Sequence, residues 1–156
     1  MGSKLVDTSI KGKIALVTGG AKGVGRAVAI RLSNLGSKVA VNYKSSLGAA
    51  EEVASIIGAQ SGQALTVQAD ISNLRDVQSM MGKIEDEWGP VDILVNNAGI
   101  IDDGLLVRMS DESWDNVIGT NLNGTFYCTR SVLRAMLKRR WGRIINIGSV
   151  VGIRGN

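Results

Sequence analysis

The sequence predicts an α/β fold in which a doubly wound parallel sheet is covered by helices on both faces. Short apolar runs alternate with helical stripes in the order βαβαβαβαβ, and no repeat or linker interrupts them. The composition agrees, because 44% of the residues are hydrophobic and 4% aromatic, with many Ala, Gly and β-branched residues, as is typical of strands buried on both faces. A chain of 156 residues is long enough for one domain with a sizeable core.

Each of the five short apolar runs is bounded by turn residues and predicts a strand. The first begins at Ile14 and stops at Thr18, and the others span 38–43, 64–69, 91–95 and 143–147. In a doubly wound sheet with strand order 3-2-1-4-5, ligands bind at the carboxyl ends of the strands. The residues that follow each run are therefore the candidates for a binding site.

Apolar residues recur at helical spacing between these runs. The four stripes are Val24, Val28, Leu32 and Leu35; Ala50, Val53, Ala54 and Ile57; Leu74, Val77, Met81, Ile84 and Trp88; and Trp114, Val117, Cys128, Val132 and Ala135. Gly36, Gly58 and Gly89-Pro90 end the first three helices. The last stripe predicts one long helix from an N-cap at Ser110 towards Arg140, with Cys128 as a small core residue.

Composition also excludes several classes of function. The chain has no His and one Cys, so neither a zinc site nor a disulfide framework is predicted, and we expect no metal. A net charge of +4 indicates acidic partners, but nothing in the chain is typical of a nucleic-acid-binding module. Since no apolar run approaches a membrane span of roughly 20 residues and no signal peptide is visible, we expect a soluble cytoplasmic protein. Residues 1–10 are expected to form a loose leader.

A glycine-rich turn follows the first strand, with the pattern Thr18-Gly19-x-x-x-Gly23-x-Gly25. Glycines at these positions let the backbone approach a pyrophosphate closely, and a helix that starts after Gly23 offers unpaired N–H groups to it. The simpler interpretation is that the glycines serve turn geometry and helix packing alone. Thr18 is expected to cap the turn through a bond from its side chain to the backbone.

Motifs further along the chain decide between these interpretations. They are Asp70 after the third strand, Asn96-Asn97-Ala98-Gly99 after the fourth, Asn121 in the long helix and Ser149 after the fifth. Together with the turn, and in this order and spacing from about Lys11 onward, they resemble the short-chain dehydrogenase/reductase family, which has a Rossmann-type sheet. Within the family the chain is most similar to 3-oxoacyl-acyl-carrier-protein reductases, although acetoacetyl-CoA reductases and sugar-alcohol dehydrogenases share much of the pattern.

The resemblance implies a nicotinamide dinucleotide bound at the strand ends. The candidate cofactor-binding residues are Thr18, Gly19, Lys22, Gly23, Val24, Gly25, Tyr43, Lys44, Ser45, Asp70, Ile71, Asn97, Ala98 and Gly99. No acidic residue between Lys38 and Ala50 is available for the ribose hydroxyls of NADH. Lys22, Lys44 and Ser45 can instead hold a 2′-phosphate, which favours NADPH, unless the lysines are simply solvated surface charges.

Several of these residues have an alternative structural role. The resemblance implies that Asp70 accepts a hydrogen bond from the adenine amino group, but it can also cap the helix that follows. Asn96 is expected to bond to neighbouring backbone. The resemblance gives catalytic roles to Asn121, which kinks the helix and holds a water for proton relay, and to Ser149, which bonds the substrate carbonyl. Otherwise Asn121 is a satisfied core amide and Ser149 a turn residue.

The implied activity is NADPH-dependent reduction of a 3-keto group on an acyl thioester, carried by acyl carrier protein in fatty-acid synthesis. Arg134 is a candidate contact for that acidic carrier, and full-length relatives are often tetramers. The family's Tyr-x-x-x-Lys pair is missing, however, because Leu47 follows Tyr43 at that spacing and Ser131 follows Tyr127. We therefore expect a fragment that lacks the last strands of the family fold, with little or no activity alone and exposed apolar surface on its fifth strand and long helix. A non-catalytic NADP(H)-binding fragment or degenerate relative is the alternative.

Overall fold

The computed structural model describes residues 10–155 and contains a five-stranded parallel sheet. The strands are β1 Ile14–Val17, β2 Lys38–Tyr43, β3 Ala64–Gln68, β4 Ile93–Asn96 and β5 Arg143–Asn146. Their order is β3-β2-β1-β4-β5, which confirms the predicted topology. Nine of the ten residues in the proposed leader lie outside the described residues. The tenth, Ile10, is bonded to the folded domain and is not loose, because its carbonyl accepts hydrogen bonds from the Lys13 N–H and the Ser37 hydroxyl.

Helices pack on both faces of the sheet. They are α1 Gly23–Asn34, α2 Leu47–Ala59, α3 Leu74–Trp88, α4 Asp111–Ile118, α5 Thr125–Arg139 and the short α6 Val151–Arg154, which the sequence analysis did not predict. One core lies between the sheet and α3 with α5, where Val77, Ile84 and Cys128 are buried against Leu16 and Leu94. The other lies between the sheet and α1 with α2. Burial on both faces explains why the strands read as continuous apolar runs.

The face of α1 that meets the sheet differs from the predicted stripe. The buried positions are Gly25, Ala29 and Ser33, whereas Val24 is 58% exposed. Leu35 is also exposed, and Val28 and Leu32 are only partly buried. Small side chains let the helix approach β1 closely, so the larger ones are displaced to its flanks.

The predicted long helix is one helical path with a change of pitch. A π-helical segment, Gly119–Gly124, joins α4 to α5, and the backbone at both junctions stays right-handed helical. Ser110 is the N-cap, as predicted, because its hydroxyl oxygen accepts the Ser113 N–H at 3.1 Å. The π segment adds a residue to one turn, so α4 and α5 do not share the predicted stripe. Cys128 and Val132 are buried while Trp114 is 53% exposed.

Strand β5 forms one edge of the sheet in the described chain, since β4 is its neighbour. Ile145 and Ile147 are partly open to solvent there, and Phe126 and Leu137 are exposed on α5. The structure thus shows the apolar exposure on the fifth strand and long helix that the sequence analysis expected. No helix within residues 10–155 is long and apolar enough to cross a membrane.

Candidate active site

A cleft of about 740 Å³ lies at the carboxyl ends of the strands. Nine of the predicted cofactor-binding residues line it, namely Gly19, Lys22, Gly23, Lys44, Asp70, Ile71, Asn97, Ala98 and Gly99. The other five predicted residues are not among those that line it, namely Thr18, Val24, Gly25, Tyr43 and Ser45. The cleft therefore brings together residues from four separate turns, which the sequence places up to 80 residues apart.

Thr18 connects β1 to the end of β4. Its buried hydroxyl donates to the Val95 carbonyl at 3.3 Å and accepts the N–H groups of Asn97 and Ala98, each at 3.0 Å. The predicted bond to the backbone exists, but it holds the neighbouring strand rather than the residue's own turn. The side chain of Asn97 completes this connection by donating to the Thr18 carbonyl at 2.9 Å.

At Gly19 and Gly25 the glycine-rich turn is packed too closely for a side chain. Gly19 has φ +60°, and a Cβ at Gly25 would lie 2.4 Å from the Gly19 carbonyl oxygen and 2.5 Å from the Asn97 side-chain nitrogen. Gly25 thus lets α1 begin directly against the turn. The N–H groups of Gly19 and Gly20 point inward, because both bond to Asn42.

The open donors are instead at the start of α1. No side chain caps this helix. Counting from its first residue, Arg26 is the first whose N–H donates to a backbone carbonyl, that of Lys22. Within residues 10–155, the N–H groups of Gly23, Val24 and Gly25 therefore have no hydrogen-bond partner. Free amides and the positive end of the helix dipole at the cleft favour a phosphate there. The site fits the pyrophosphate of a dinucleotide.

An ion pair crosses the cleft between the tips of β2 and β3. The Lys44 ammonium lies 2.6 Å from one Asp70 carboxylate oxygen, and Ser72 donates its N–H and its hydroxyl to the other. Burial raises the pKa of Asp70, but the bonds from Lys44 and Ser72 outweigh it and hold the pKa below its ordinary value of 3.8. Asp70 does not cap α3, as one interpretation expected, because Asn73 accepts the N–H groups of the first turn.

The two predicted catalytic residues meet in a second cavity of about 370 Å³, beside the first. Asn121 and Ser149 both line it, and Ile100 and Ile101 belong to both cavities. Asn121 lies in the π segment and is exposed, not in the core. Its side-chain oxygen accepts the Ile100 N–H at 2.9 Å and its nitrogen donates to the Ile100 carbonyl at 3.0 Å, so the amide is satisfied by backbone. The Ser149 hydroxyl oxygen accepts the Val151 N–H at 3.2 Å and is exposed, which leaves its proton available.

These features match a known family. Residues 13–156 match the family model described as short chain dehydrogenase. The chain belongs to the short-chain dehydrogenase/reductase family.

Curated reductases resemble this chain over most of its length. A 3-oxoacyl-[acyl-carrier-protein] reductase from Synechocystis sp. is 46% identical over 96% of this chain and 60% of its own length. The reductase FabG from Staphylococcus epidermidis is 45% identical over 92% of this chain and 59% of its own. The chain thus spans about three fifths of these relatives. A solved double mutant of a Serratia marcescens short-chain dehydrogenase/reductase superposes with a TM-score of 0.83 at 33% identity, covering 90% of this chain and 57% of its own.

Sequence reasoning missed eight residues that line the cleft of this short-chain dehydrogenase, namely Asn42, Ala69, Ser72, Ile100, Ile101, Asp102, Asn116 and Thr120. Among them, Asn42 is distinguished by its hydrogen bonds. It lines the cleft, is 2% exposed and bonds both the glycine-rich turn and the end of β3. Its signal was present, since it is the one polar side chain within the apolar run 39–43 apart from the Tyr43 hydroxyl. A polar residue in a strand buried on both faces must find hydrogen-bond partners, and this need marks Asn42 as a candidate site residue.

Asn96 was assigned the wrong partners. Its side-chain nitrogen donates to the Asn146 side-chain oxygen at 2.8 Å and to the Thr129 hydroxyl at 3.1 Å, rather than to neighbouring backbone. It therefore ties β4 to both β5 and α5. Cys128 is confirmed as a core residue, and burial raises the pKa of its thiol to about 12. Within residues 10–155 no group of three His, Cys, Asp or Glu side chains is placed to hold a metal ion.

Proposed function

We propose that the protein binds NADPH and belongs to an enzyme that reduces the 3-keto group of an acyl thioester carried by acyl carrier protein. The observation that carries this is the junction of the two cavities at Ile100 and Ile101. One cavity has the phosphate-binding helix start and the other has Asn121 with Ser149. The names of the curated relatives supply the substrate class.

Different residues act on the cofactor and on the substrate along the two joined cavities. The free amides of Gly23, Val24 and Gly25 bind the pyrophosphate, and small residues at Ala98 and Gly99 let the nicotinamide half lie against the end of β4. The bound cofactor supplies the hydride. The Ser149 hydroxyl donates to the substrate carbonyl oxygen and stabilises the negative charge that develops there. Asn121 keeps the 100–101 segment in place and, by family resemblance, holds a water for proton relay.

Preference for NADPH rests on the charges around the adenosine end. Lys22 is exposed at the cleft and forms no ion pair within the described part of the chain, while Lys44 is drawn towards the cleft by Asp70. No acid ends β2, and the Asp70 carboxylate at the tip of β3 is paired with Lys44. We propose that Lys22, Lys44 and Ser45 hold this phosphate and that Asp70 accepts from the adenine amino group.

Binding measurements test the cofactor assignment directly. Isothermal titration should show tighter binding of NADPH than of NADH. Lys44→Ala should weaken NADPH binding about tenfold, since a charge-assisted hydrogen bond is lost, and NADH binding much less. Lys83→Ala is the matched control, because Lys83 is an exposed lysine on α3 remote from the cleft. Equal affinities for the two nucleotides, or equal losses in Lys44→Ala and Lys83→Ala, would refute the preference for NADPH.

Reduction itself needs a proton donor that these 156 residues do not contain, because no Tyr is followed by Lys at the family's spacing. Loss of a general acid typically lowers the rate about 10²–10⁴-fold. We therefore expect NADPH binding by this chain with little oxidation of NADPH by acetoacetyl-CoA. Robust turnover would refute that expectation. A non-catalytic NADP(H)-binding module remains the second candidate, favoured by the same missing pair. Whether the open reading frame continues past residue 156 into a Tyr-x-x-x-Lys helix distinguishes the two.

We propose that Arg134 contributes to binding the acidic carrier protein. Arg130 stacks on the Phe126 ring at 4.7 Å and Arg139 pairs with Asp92 at 3.2 Å, so these cations have partners within the chain. Arg134 is exposed on α5 and has no such partner within residues 10–155. Charge reversal in Arg134→Glu should weaken binding of an acyl carrier protein without changing NADPH affinity. We also propose that the exposed apolar residues of α5 take part in a homotetramer of the full-length protein.

A further inference from the structure

Asn42 has an unusual environment for an amide side chain. It lies near the end of β2 with 2% of its surface exposed, between the glycine-rich turn on one side and β3 on the other. Its side-chain oxygen accepts the Gly19 N–H at 3.2 Å. Its side-chain nitrogen donates to the carbonyls of Ala69 at 3.1 Å and Val67 at 3.3 Å, with a longer contact of 3.4 Å to the Tyr43 carbonyl.

We call the part of the cleft between the glycine-rich turn and the tip of β3 its adenosine end. The bonds of Asn42 fix the two sides of this end relative to each other. Gly19 and Asn42 both line the cleft, as do Ala69 and Asp70 at the tip of β3. The backbone of Asn42 adds a further restraint, because its carbonyl accepts the Gly20 N–H at 2.9 Å. No other side chain in residues 10–155 bonds both the glycine-rich turn and the β3 tip, so within these residues the Asn42 amide is the one direct side-chain link between the two sides.

From this geometry we infer that Asn42 is a positioning residue that sets the binding geometry of the adenosine 2′-phosphate half of NADPH. This inference rests on the proposed function. Asn42 acts through Gly19 and Ala69 and does not itself need to touch the nucleotide. By engaging the N–H groups of Gly19 and Gly20, it also directs the pyrophosphate to the free amides at the start of α1. The nicotinamide half, which lies towards Gly99 and Ser149, is outside its reach.

The chemistry requires an amide at this position. The Gly19 N–H needs an acceptor and the β3 carbonyls need a donor, and a neutral amide offers both from one planar group. A carboxylate at this position still accepts from the Gly19 N–H, but its negative charge is repelled by the β3 carbonyl oxygens. An aliphatic side chain leaves both the Gly19 N–H and the β3 carbonyls without this partner. A protonated carboxyl group restores one donor. Burial and the facing carbonyl dipoles raise the pKa of a carboxyl group placed there.

Two variants of the protein test the inference with NADPH and 2′,5′-ADP as the probes. Asn42→Ala should weaken binding of both by the same factor, about tenfold, because the adenosine end alone loses its geometry. In Asn42→Asp the affinity for 2′,5′-ADP, relative to wild type at the same pH, should recover as the pH is lowered and the introduced carboxyl becomes protonated. Ser37→Ala is the matched control. Ser37 is buried just before the other end of β2 and also loses one hydrogen bond, to Ile10, so it should lower the melting temperature without changing either affinity.

The outcomes separate the inference from the proposed function. If wild type binds neither probe, the proposed function fails and the inference fails with it. If wild type binds both, the inference alone is refuted by unchanged affinities in Asn42→Ala, by a larger loss for NADPH than for 2′,5′-ADP, or by an equal loss in Ser37→Ala. If neither Asn42 variant folds, amide hydrogen exchange in ligand-free wild type decides: slow exchange at Gly19 supports the inference, and exchange at the rate of an unprotected amide refutes it.

Discussion

The close approach of α1 to the glycine-rich turn makes Gly25→Ala the sharpest test of the site. The added Cβ would lie 2.4 Å from the Gly19 carbonyl oxygen and 2.5 Å from the side-chain nitrogen of Asn97. Ordinary contact requires a separation larger by about 1 Å, so the start of the helix has to move away from the turn. That nitrogen also donates to the carbonyls of Thr18 and Gly19, at 2.9 and 3.2 Å, and these bonds are strained by the same movement.

The expected change in the free energy of unfolding of Gly25→Ala is the sum of opposing contributions. Overpacking in a rigid interior costs about 1–3 kcal/mol, and weakening the two Asn97 bonds adds about 1 kcal/mol. Replacing Gly by Ala inside a helix returns about 1 kcal/mol. We expect a net loss of about 1–3 kcal/mol in the free energy of unfolding. For a domain of this size that corresponds to a melting temperature lower by roughly 2–12 °C.

Gly82→Ala is the matched control, because Gly82 lies inside α3 and a Cβ there meets nothing within 4 Å. It should stabilise the protein by up to about 1 kcal/mol. Urea denaturation measures both changes. NADPH affinity, measured by titration calorimetry, should fall at least about tenfold in Gly25→Ala because its amides move, and stay unchanged in Gly82→Ala. A Gly25→Ala protein as stable as Gly82→Ala, with wild-type NADPH affinity, would refute the argument.

Three further perturbations have independent readouts. Thr18→Val removes the acceptor of the Asn97 and Ala98 amides and should lower the free energy of unfolding by about 3 kcal/mol, with Thr18→Ser close to wild type; urea denaturation checks both. Folding lowers the pKa of Asp70 below 3.8, so its ionised form stabilises the fold above that pH, and this contribution is lost as the pH falls through the folded-state pKa. The acid limb of a pH–stability profile should therefore flatten in Asp70→Asn. Burial raises the pKa of Cys128 to about 12, so a thiol reagent at roughly pH 8 should label the folded protein only as fast as it unfolds, and rapid stoichiometric labelling would contradict this.

Much of the fold was predictable because its signals are local. Each strand is a short apolar run, and each run ends at a turn residue, so the order of elements and the sheet topology could be predicted. The buried face of α2 was also predicted correctly, with Ala50, Val53 and Ile57 against the sheet. The buried face of α1 was not, because small residues there allow a close approach that hydrophobicity alone does not indicate.

In the candidate site, too, local sequence patterns were predictable and contacts between residues distant in sequence were not. The pattern of glycines and strand-end residues identified nine residues that line the cleft. It could not show that Asp70 pairs with Lys44 or that Asn121 bonds Ile100, because those partners are 26 and 21 residues apart in sequence. It also could not show that Asn42 occupies the Gly19 N–H, which moves the open donors to the helix start.

The sequence by itself determined the layers, the strand order and the family, because hydrophobic periodicity and motif spacing act over short stretches of chain. Only the tertiary structure decided which polar groups are already paired and which remain free for a ligand. Hydrogen bonds are made between groups that folding brings together, so motif spacing could not show that Asn42 occupies the amides of Gly19 and Gly20 while those at the start of α1 stay free among the described residues.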